Sequence, residues 1–215
     1  MATFLPAQCA LLLIDMQKDF CAPGGYADQA GLDIAALRAP IPGLQRVLRA
    51  AREHDWLIVH TREGHRGDLL DLSPAKRARA IASGAPIGSP GPLGRLLVRG
   101  EPGHDLIGEL YPLPGEPVID KPGYSAFAHT DLELILRNQG ITQLLVGGVT
   151  TDVCVSTTVR HATDLGFSCF TLSDGCASGD AALHAAALEM MEVEGGIFGQ
   201  VMTIEQALDT MGGHA

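Results

Sequence analysis

What most constrains the fold of this chain is a series of short, continuous apolar runs. Each closes on polar residues and is followed by a helical pattern. The runs cover residues 10–14, ending at Asp15; 56–59, ending at His60 and Thr61; 118–120, ending at Lys121; 144–146, running into Gly147-Gly148-Val149; and 167–172, ending at Ser173 and Asp174. A sixth, shorter run spans 197–202. Continuous runs of this length suit strands buried on both faces. Strands alternating with helices predict a mainly parallel sheet, and right-handed crossovers make it a doubly wound, three-layer α/β/α fold. With 215 residues, the chain is expected to form a single domain over 1–215.

The helical stretches between the runs fall at 41–54, 130–138, 152–164, 180–193 and 203–211. In the first, Leu44, Val47, Leu48 and Ala51 share one face. In the second, Thr130 and Glu133 have capping-box spacing, and Gly140 supplies the stop. The segment 62–117 is the exception, being rich in Gly and Pro and without a strong strand. Helices are expected there at 74–82 and 104–110, and so long a connection reads as a lid or an interface.

In open parallel sheets ligands bind beyond the carboxyl ends of the strands, so ionisable residues at those ends are the candidates. Asp15, Lys121 and Asp174 occupy such ends, and Cys154 lies just past the fourth run. With Thr151 as N-cap, Cys154 is the third residue of a helix. There the dipole, helped by a nearby ammonium, is expected to lower the thiol pKa. A buried, inert cysteine is the commoner fate of a free thiol. Lys121 stands out because the chain has only three lysines, and this one follows a strand and precedes Pro122-Gly123. A surface lysine is the plain alternative, as a helix cap is for Asp15.

Other signals are weaker or exclude function classes. The five cysteines Cys9, Cys21, Cys154, Cys169 and Cys176 include no CxxC pair, which argues against a zinc ribbon or a redox dithiol. His60 and His65 are possible metal ligands, but core or solvated histidines are the expected reading. Gly195-Gly196-Ile197-Phe198-Gly199 precedes a strand where a dinucleotide fingerprint would follow one, and no P-loop occurs. A formal net charge of −10 speaks against nucleic acid and anionic membrane as partners. The N-terminal residues carry no secretory pattern, and no run is long enough to span a bilayer, so a cytoplasmic location is expected.

Taken together, Asp15 within Leu13-Ile14-Asp15-Met16-Gln17-Lys18-Asp19-Phe20, then Lys121, then Gly148-Val149-Thr150-Thr151-Asp152-Val153-Cys154-Val155 resemble the three signatures of the isochorismatase-like cysteine hydrolases, in that superfamily's chain order. The resemblance covers nearly the whole chain. It implies a six-stranded parallel sheet between helices and a catalytic set of Asp15, Lys121 and Cys154. It also implies an oxyanion hole of backbone N–H groups at Val149, Thr150 and Cys154, and a cis peptide bond near Gly148-Val149. Cys154 would attack an amide or urea carbonyl, and Asp15 would carry the thiol proton to the departing amine. No cofactor or metal is implied. Nicotinamidases of the superfamily carry an Asp-x-His pattern, and here Ile58 stands two residues before His60.

Within the superfamily, residues 60–66, 92–100 and 195–199 resemble the biuret hydrolase branch. Phe20 matches an aromatic residue of its substrate pocket. Where that branch has Gln before the Gly-Gly pair, this chain has Glu194, an acceptor that favours a cationic N–H fork. The expected substrate is therefore a small ureido compound, guanylurea ahead of biuret and triuret. Other amidase substrates (N-carbamoyl amino acids, ureidoacrylate, nicotinamide) and a non-catalytic binding protein are the alternatives. The resemblance also implies a homo-oligomer, often a tetramer.

Overall fold

The computed structural model describes residues 4–212. Six strands form one sheet: β1 (Cys9–Ile14), β2 (Leu57–Glu63), β3 (Val118–Lys121), β4 (Gln143–Val149), β5 (Ser168–Ala177) and β6 (Gln200–Met202). Their order is β3-β2-β1-β4-β5-β6, and every pairing is parallel. This is the expected doubly wound sheet. The strand order reverses between β1 and β4, which opens a crevice at their carboxyl ends.

The period of two along β1 divides the core. Leu11 and Leu13 pack on one face, and Ala10, Leu12 and Ile14 on the other. The first face is covered by α1 (Ile41–Glu53) and α6 (Ile204–Gly212), through Leu44, Val47, Leu48 and Ala51 and through Ile204, Ala207 and Met211. The second is covered by α3 (Leu132–Asn138) and α4 (Ser156–Asp164), with Met191 at the end of α5 (Ala181–Met191). Among the described residues no helix is long and apolar enough to cross a membrane.

Several local expectations need correction. The second strand does not stop at His60-Thr61 but continues to Glu63, because Arg62 and Glu63 pair with Asp120 and Lys121 of β3. The fifth strand runs past Leu172 to Ala177 through an irregular stretch. Asp174 is exposed there, and its carboxylate accepts from Ile204 N (2.7 Å) at the start of α6, so it serves a helix end rather than the crevice. The Thr130/Glu133 capping box is not formed. The helix begins at Leu132 with Asp131 as N-cap, one residue too late for that spacing. Thr130 Oγ1 instead donates to Ala126 O (2.6 Å), and Glu133 pairs with Arg137. Gly140 does end the helix, at φ +68°.

The segment 62–117 carries α2 (Pro74–Ala82) as expected and a small Pro90–Gly91/Gly94–Arg95 hairpin. The expected helix over 104–110 is two single 3-10 turns, Pro102–His104 and Gly108–Leu110, separated by extended backbone at Asp105. Leu96, Leu97, Val98, Leu106 and Ile107 are buried, and Gln17 bridges to Leu106. The segment is thus packed over the loop that leaves β1.

Candidate active site

Strand register sets the site. Ile14 pairs with Gly148 and Glu63 with Lys121, so the chain leaves β1, β2, β3 and β4 around one crevice. Gly148 allows the closest approach. At φ +119°, a Cβ there would collide with the carbonyl oxygen of Ile14 and lie 2.7 Å from its nitrogen. Beyond Gly148 the Val149–Thr150 peptide is cis, one bond later than expected, and residues Thr151–Val155 form a π turn. Cys154 is the fourth residue of that turn, whose N-cap is Thr150. Thr151, expected as N-cap, bonds through Oγ1 to His184 Nδ1 (2.8 Å).

The structure brings Asp15, Lys121 and Cys154 together, with Asp15 and Lys121 fully buried and Cys154 4% exposed. Lys121 Nζ lies 2.7 Å from Asp15 Oδ2 and 3.4 Å from Cys154 Sγ, and donates to Gly123 O (3.1 Å). Thr61 Oγ1 donates to Asp15 Oδ1 (2.6 Å) and accepts from Asp15 N (3.1 Å), which orients the carboxylate from β2. A fourth group joins them: Glu63 Oε2 lies 3.3 Å from Lys121 Nζ and accepts from Cys154 Sγ (3.2 Å). A fifth, Lys76 of α2, donates to Glu63 Oε1 (2.6 Å) and Pro122 O (2.7 Å) and sits 4.9 Å from the centre of the Tyr124 ring.

Two carboxylates therefore face two ammonium groups. Burial works against the Lys121 charge, but the carboxylates of Asp15 and Glu63 outweigh it and hold the ammonium charged. Burial pushes the Asp15 carboxyl up, against the pull of Lys121. Burial also opposes ionisation of Glu63, yet Lys121 and Lys76 together hold it down at about 2. The Cys154 thiol is pushed well up by burial, and Glu63 and Asp15 add to this against Lys121. The helix-start expectation of a lowered thiol pKa is thus overturned. Desolvation and two carboxylates exceed the dipole and one ammonium.

The two substrate-contact expectations fare differently. Phe20 is buried and packs edge-on against Tyr26 (5.9 Å between ring centres). Tyr26 lies close enough to Glu63, Tyr124 and Cys154 for their charges to raise its phenol, after burial. Phe20 therefore packs against a residue whose phenol feels the charge of the crevice, and makes no contact with Asp15, Lys121 or Cys154 among those described. Glu194 lies elsewhere. It is exposed, in the turn between α5 and β6, whose neighbours Gly195 and Gly196 line a hollow with Phe167 and Ser168 at the amino end of β5. That is the amino end of the sheet, opposite the carboxyl ends that carry Asp15, Lys121 and the turn of Cys154, because α5 runs antiparallel to the strands.

Among the described residues, Asp15, Glu63 and Cys154 are the set whose donor atoms converge with the spacing of metal ligands, all within 4.8 Å of one another. The ammonium of Lys121 already faces all three of them, and a cation there would have to displace it, so the donors do not fit one. His60 and His65 are buried and point elsewhere, His60 Nε2 to Glu116 (3.0 Å) and His65 Nδ1 to Asp71 (3.1 Å). Glu63 and Lys76 escaped the sequence reading. The signal for Glu63 was its parity with Lys121 at a strand end, hidden once the strand was ended at Thr61.

Solved structures of similar architecture span nearly the whole chain. A cysteine hydrolase from Pseudomonas syringae pv. phaseolicola is 26% identical, with TM-score 0.82 over 97% of this chain and 94% of that one. An isochorismatase-like hydrolase from Alkaliphilus metalliredigens is 30% identical, with TM-score 0.73 over 94% and 98%. A nicotinamidase/pyrazinamidase from Bacillus subtilis is 28% identical, with TM-score 0.72 over 90% and 98%. The sequence model of the isochorismatase domain matches residues 9–206, from the first strand into the last helix. A match of that extent leaves none of the six strands outside it, and the protein belongs to the isochorismatase domain family.

Proposed function

We infer that this protein is a cysteine-dependent amidohydrolase that cleaves a C–N bond of a small ureido or amide compound and releases ammonia. The observation that carries this reading is the buried thiol 3.4 Å from an ammonium that is itself 2.7 Å from a carboxylate. That is a nucleophile, a fixed positive charge and a proton carrier in one crevice. The likeness to a cysteine hydrolase and a nicotinamidase adds to it.

Cys154 Sγ attacks the carbonyl carbon, forming an S–C bond as the S–H proton passes to Asp15. The raised carboxyl of Asp15 is the better sink, since Glu63 is held at about 2. Backbone N–H groups at Val149, Thr150 and Cys154 are assigned to the oxyanion. Asp15 then returns the proton to the leaving nitrogen as the C–N bond breaks. Water, deprotonated by Asp15, hydrolyses the thioester-like intermediate and frees the thiol. Lys121 balances the charge throughout.

Two ammonium groups against two carboxylates leave the crevice without net charge, which favours a neutral substrate such as biuret. The case for guanylurea rested on Glu194, and that residue is remote in this chain. A homo-oligomer is supported by α5, an Ala/Leu/Met-rich helix with Leu183 and Met190 about half exposed.

An ammonia-release screen over biuret, guanylurea, triuret, N-carbamoyl amino acids and nicotinamide tests the reading, with Cys154→Ser alongside. We expect turnover of a neutral ureido compound by the native protein and none by the variant. Turnover that survives the substitution refutes the assignment, and a folded protein inactive on every amide points to a binding protein.

A further inference from the structure

Glu63 and Lys76 stand outside the three residues assigned to the chemistry, yet both bear on the nucleophile. The thiol hydrogen bond goes to Glu63 (3.2 Å), and none is formed between Sγ and Asp15. Glu63 cannot swing away easily. Gln17 grips its backbone on both sides, accepting from Glu63 N (2.7 Å) and donating to Glu63 O (3.1 Å), and is itself anchored to His104 O (2.9 Å). Its second oxygen is held by Lys76 (2.6 Å), which is 7% exposed and anchored to Pro122 O. A buried carboxylate without a partner is costly, so Lys76 is what allows an acceptor to sit against the thiol.

Resting on the reading of Cys154 as nucleophile, we propose that Glu63 and Lys76 act as a counter-charged pair that holds Cys154 as an aimed thiol before substrate binds. Glu63 contacts the reacting sulfur and accepts its hydrogen bond. Lys76 is a positioning residue that acts through Glu63. The proton stays on sulfur until a carbonyl arrives and Asp15 receives it. The segment 62–117 thereby takes part in control of the nucleophile, since α2 delivers Lys76 from it.

The groups facing Cys154 come from every neighbouring element. They are Asp15 after β1, Tyr26 in the following loop, Glu63 of β2 and Lys121 of β3, and Asp152 stands two residues away on its own turn. His184 of α5 acts through Thr151, and Lys76 of α2 and Tyr124 lie behind Glu63. Of these, removing Glu63 takes away a negative charge and removing Lys76 a positive one. The two substitutions must move the thiol in opposite directions, which loss of packing alone does not do.

The test is the pH dependence of carboxamidomethylation of Cys154 by iodoacetamide, followed by mass spectrometry of its peptide. It is run on the native protein, Glu63→Gln, Lys76→Met and the double variant. A charge as close as that of Glu63, 3.2 Å from the sulfur, shifts a pKa by roughly one unit or more, and one acting from behind it by less. Glu63→Gln is expected to lower the midpoint by about one unit and speed alkylation at neutral pH about tenfold. Lys76→Met is expected to raise it by less, because Lys76 acts from behind Glu63, and to slow alkylation about threefold. The double variant returns toward the native midpoint. Should Lys76→Met not fold, a double-variant midpoint above that of Glu63→Gln carries the same information. Unmoved midpoints, or shifts of the same sign, overturn the pair. Turnover retained in Cys154→Ser would instead overturn the nucleophile and leave the midpoints to stand on their own.

Discussion

Replacing Lys121 with methionine is the sharpest probe of the buried charges. The methionine keeps most of the apolar stem and removes the ammonium. In the native protein Nζ has four partners at 2.7–3.4 Å, two of them carboxylates with no other cation touching Asp15. Removing one side of a buried, hydrogen-bonded ion pair typically costs about 3–5 kcal/mol, because the remaining charge is stranded. Against a whole-domain stability of about 5–15 kcal/mol that is a large fraction. The pH dependence separates a stranded charge from lost packing. Native Lys121 has a raised pKa, so its contribution is complete below its ordinary value of 10.5 and is lost only above it; it is therefore constant near neutrality. In the variant, burial acts on Asp15 with no ammonium to oppose it, and its pKa rises further. The folded state then binds more protons than the unfolded one, so stability recovers as pH falls. Urea unfolding followed by circular dichroism should show a loss of about 3–5 kcal/mol near pH 7.5 that shrinks toward pH 5. A loss under about 1 kcal/mol, or one equal at both pH values, refutes the reasoning.

Three further outcomes follow from the same structure. Gly148→Ala places a Cβ against the Ile14 backbone at a positive φ, so a loss of about 3–5 kcal/mol and of activity is expected; a thermal midpoint within a degree or two of native would contradict it. Burial holds His104 at about 4, so its contribution is present at neutral pH and is lost as pH falls from about 6.5 through 4, up to about 3 kcal/mol. Asp19, raised to about 6 by burial, partly offsets this on the acid side. His104→Gln should therefore flatten the acid loss in thermal melts between pH 7 and 4.5, and an unchanged slope counts against it. Glu194→Gln, at the far end of the sheet, should leave kcat/KM for every ureido substrate within about twofold, whereas a changed ratio of guanylurea to biuret would show that Glu194 reaches a site after all.

The continuous apolar runs and their alternation with helices were enough to predict a parallel, doubly wound sheet, because an unbroken apolar run is what a strand buried on both faces requires. Strand-end logic then singled out Asp15, Lys121, Asp174 and Cys154, since a parallel sheet gathers its carboxyl ends at one edge whatever lies between them, and the family resemblance kept all of these but Asp174. Glu63 and Lys76 were not legible in the same way. Whether Arg62-Glu63 extends a strand depends on its pairing with Asp120-Lys121, some sixty residues away. Lys76 was placed on its helix, but what its ammonium meets depends on how a Gly- and Pro-rich segment folds back over the sheet. Glu194 shows the converse: its neighbours in sequence spoke for a substrate contact, and the direction of α5 carried it to the opposite end. The charge state of the thiol was likewise beyond local reading. Helix position argued for a lowered pKa, while burial and two carboxylates, which exist only once β1, β2 and β4 are side by side, push it up. The sequence by itself determined the fold class and three of the five charged or nucleophilic groups in the crevice; only the tertiary structure decided their partners and protonation, because desolvation and charge pairing are properties of groups brought together across the crossovers.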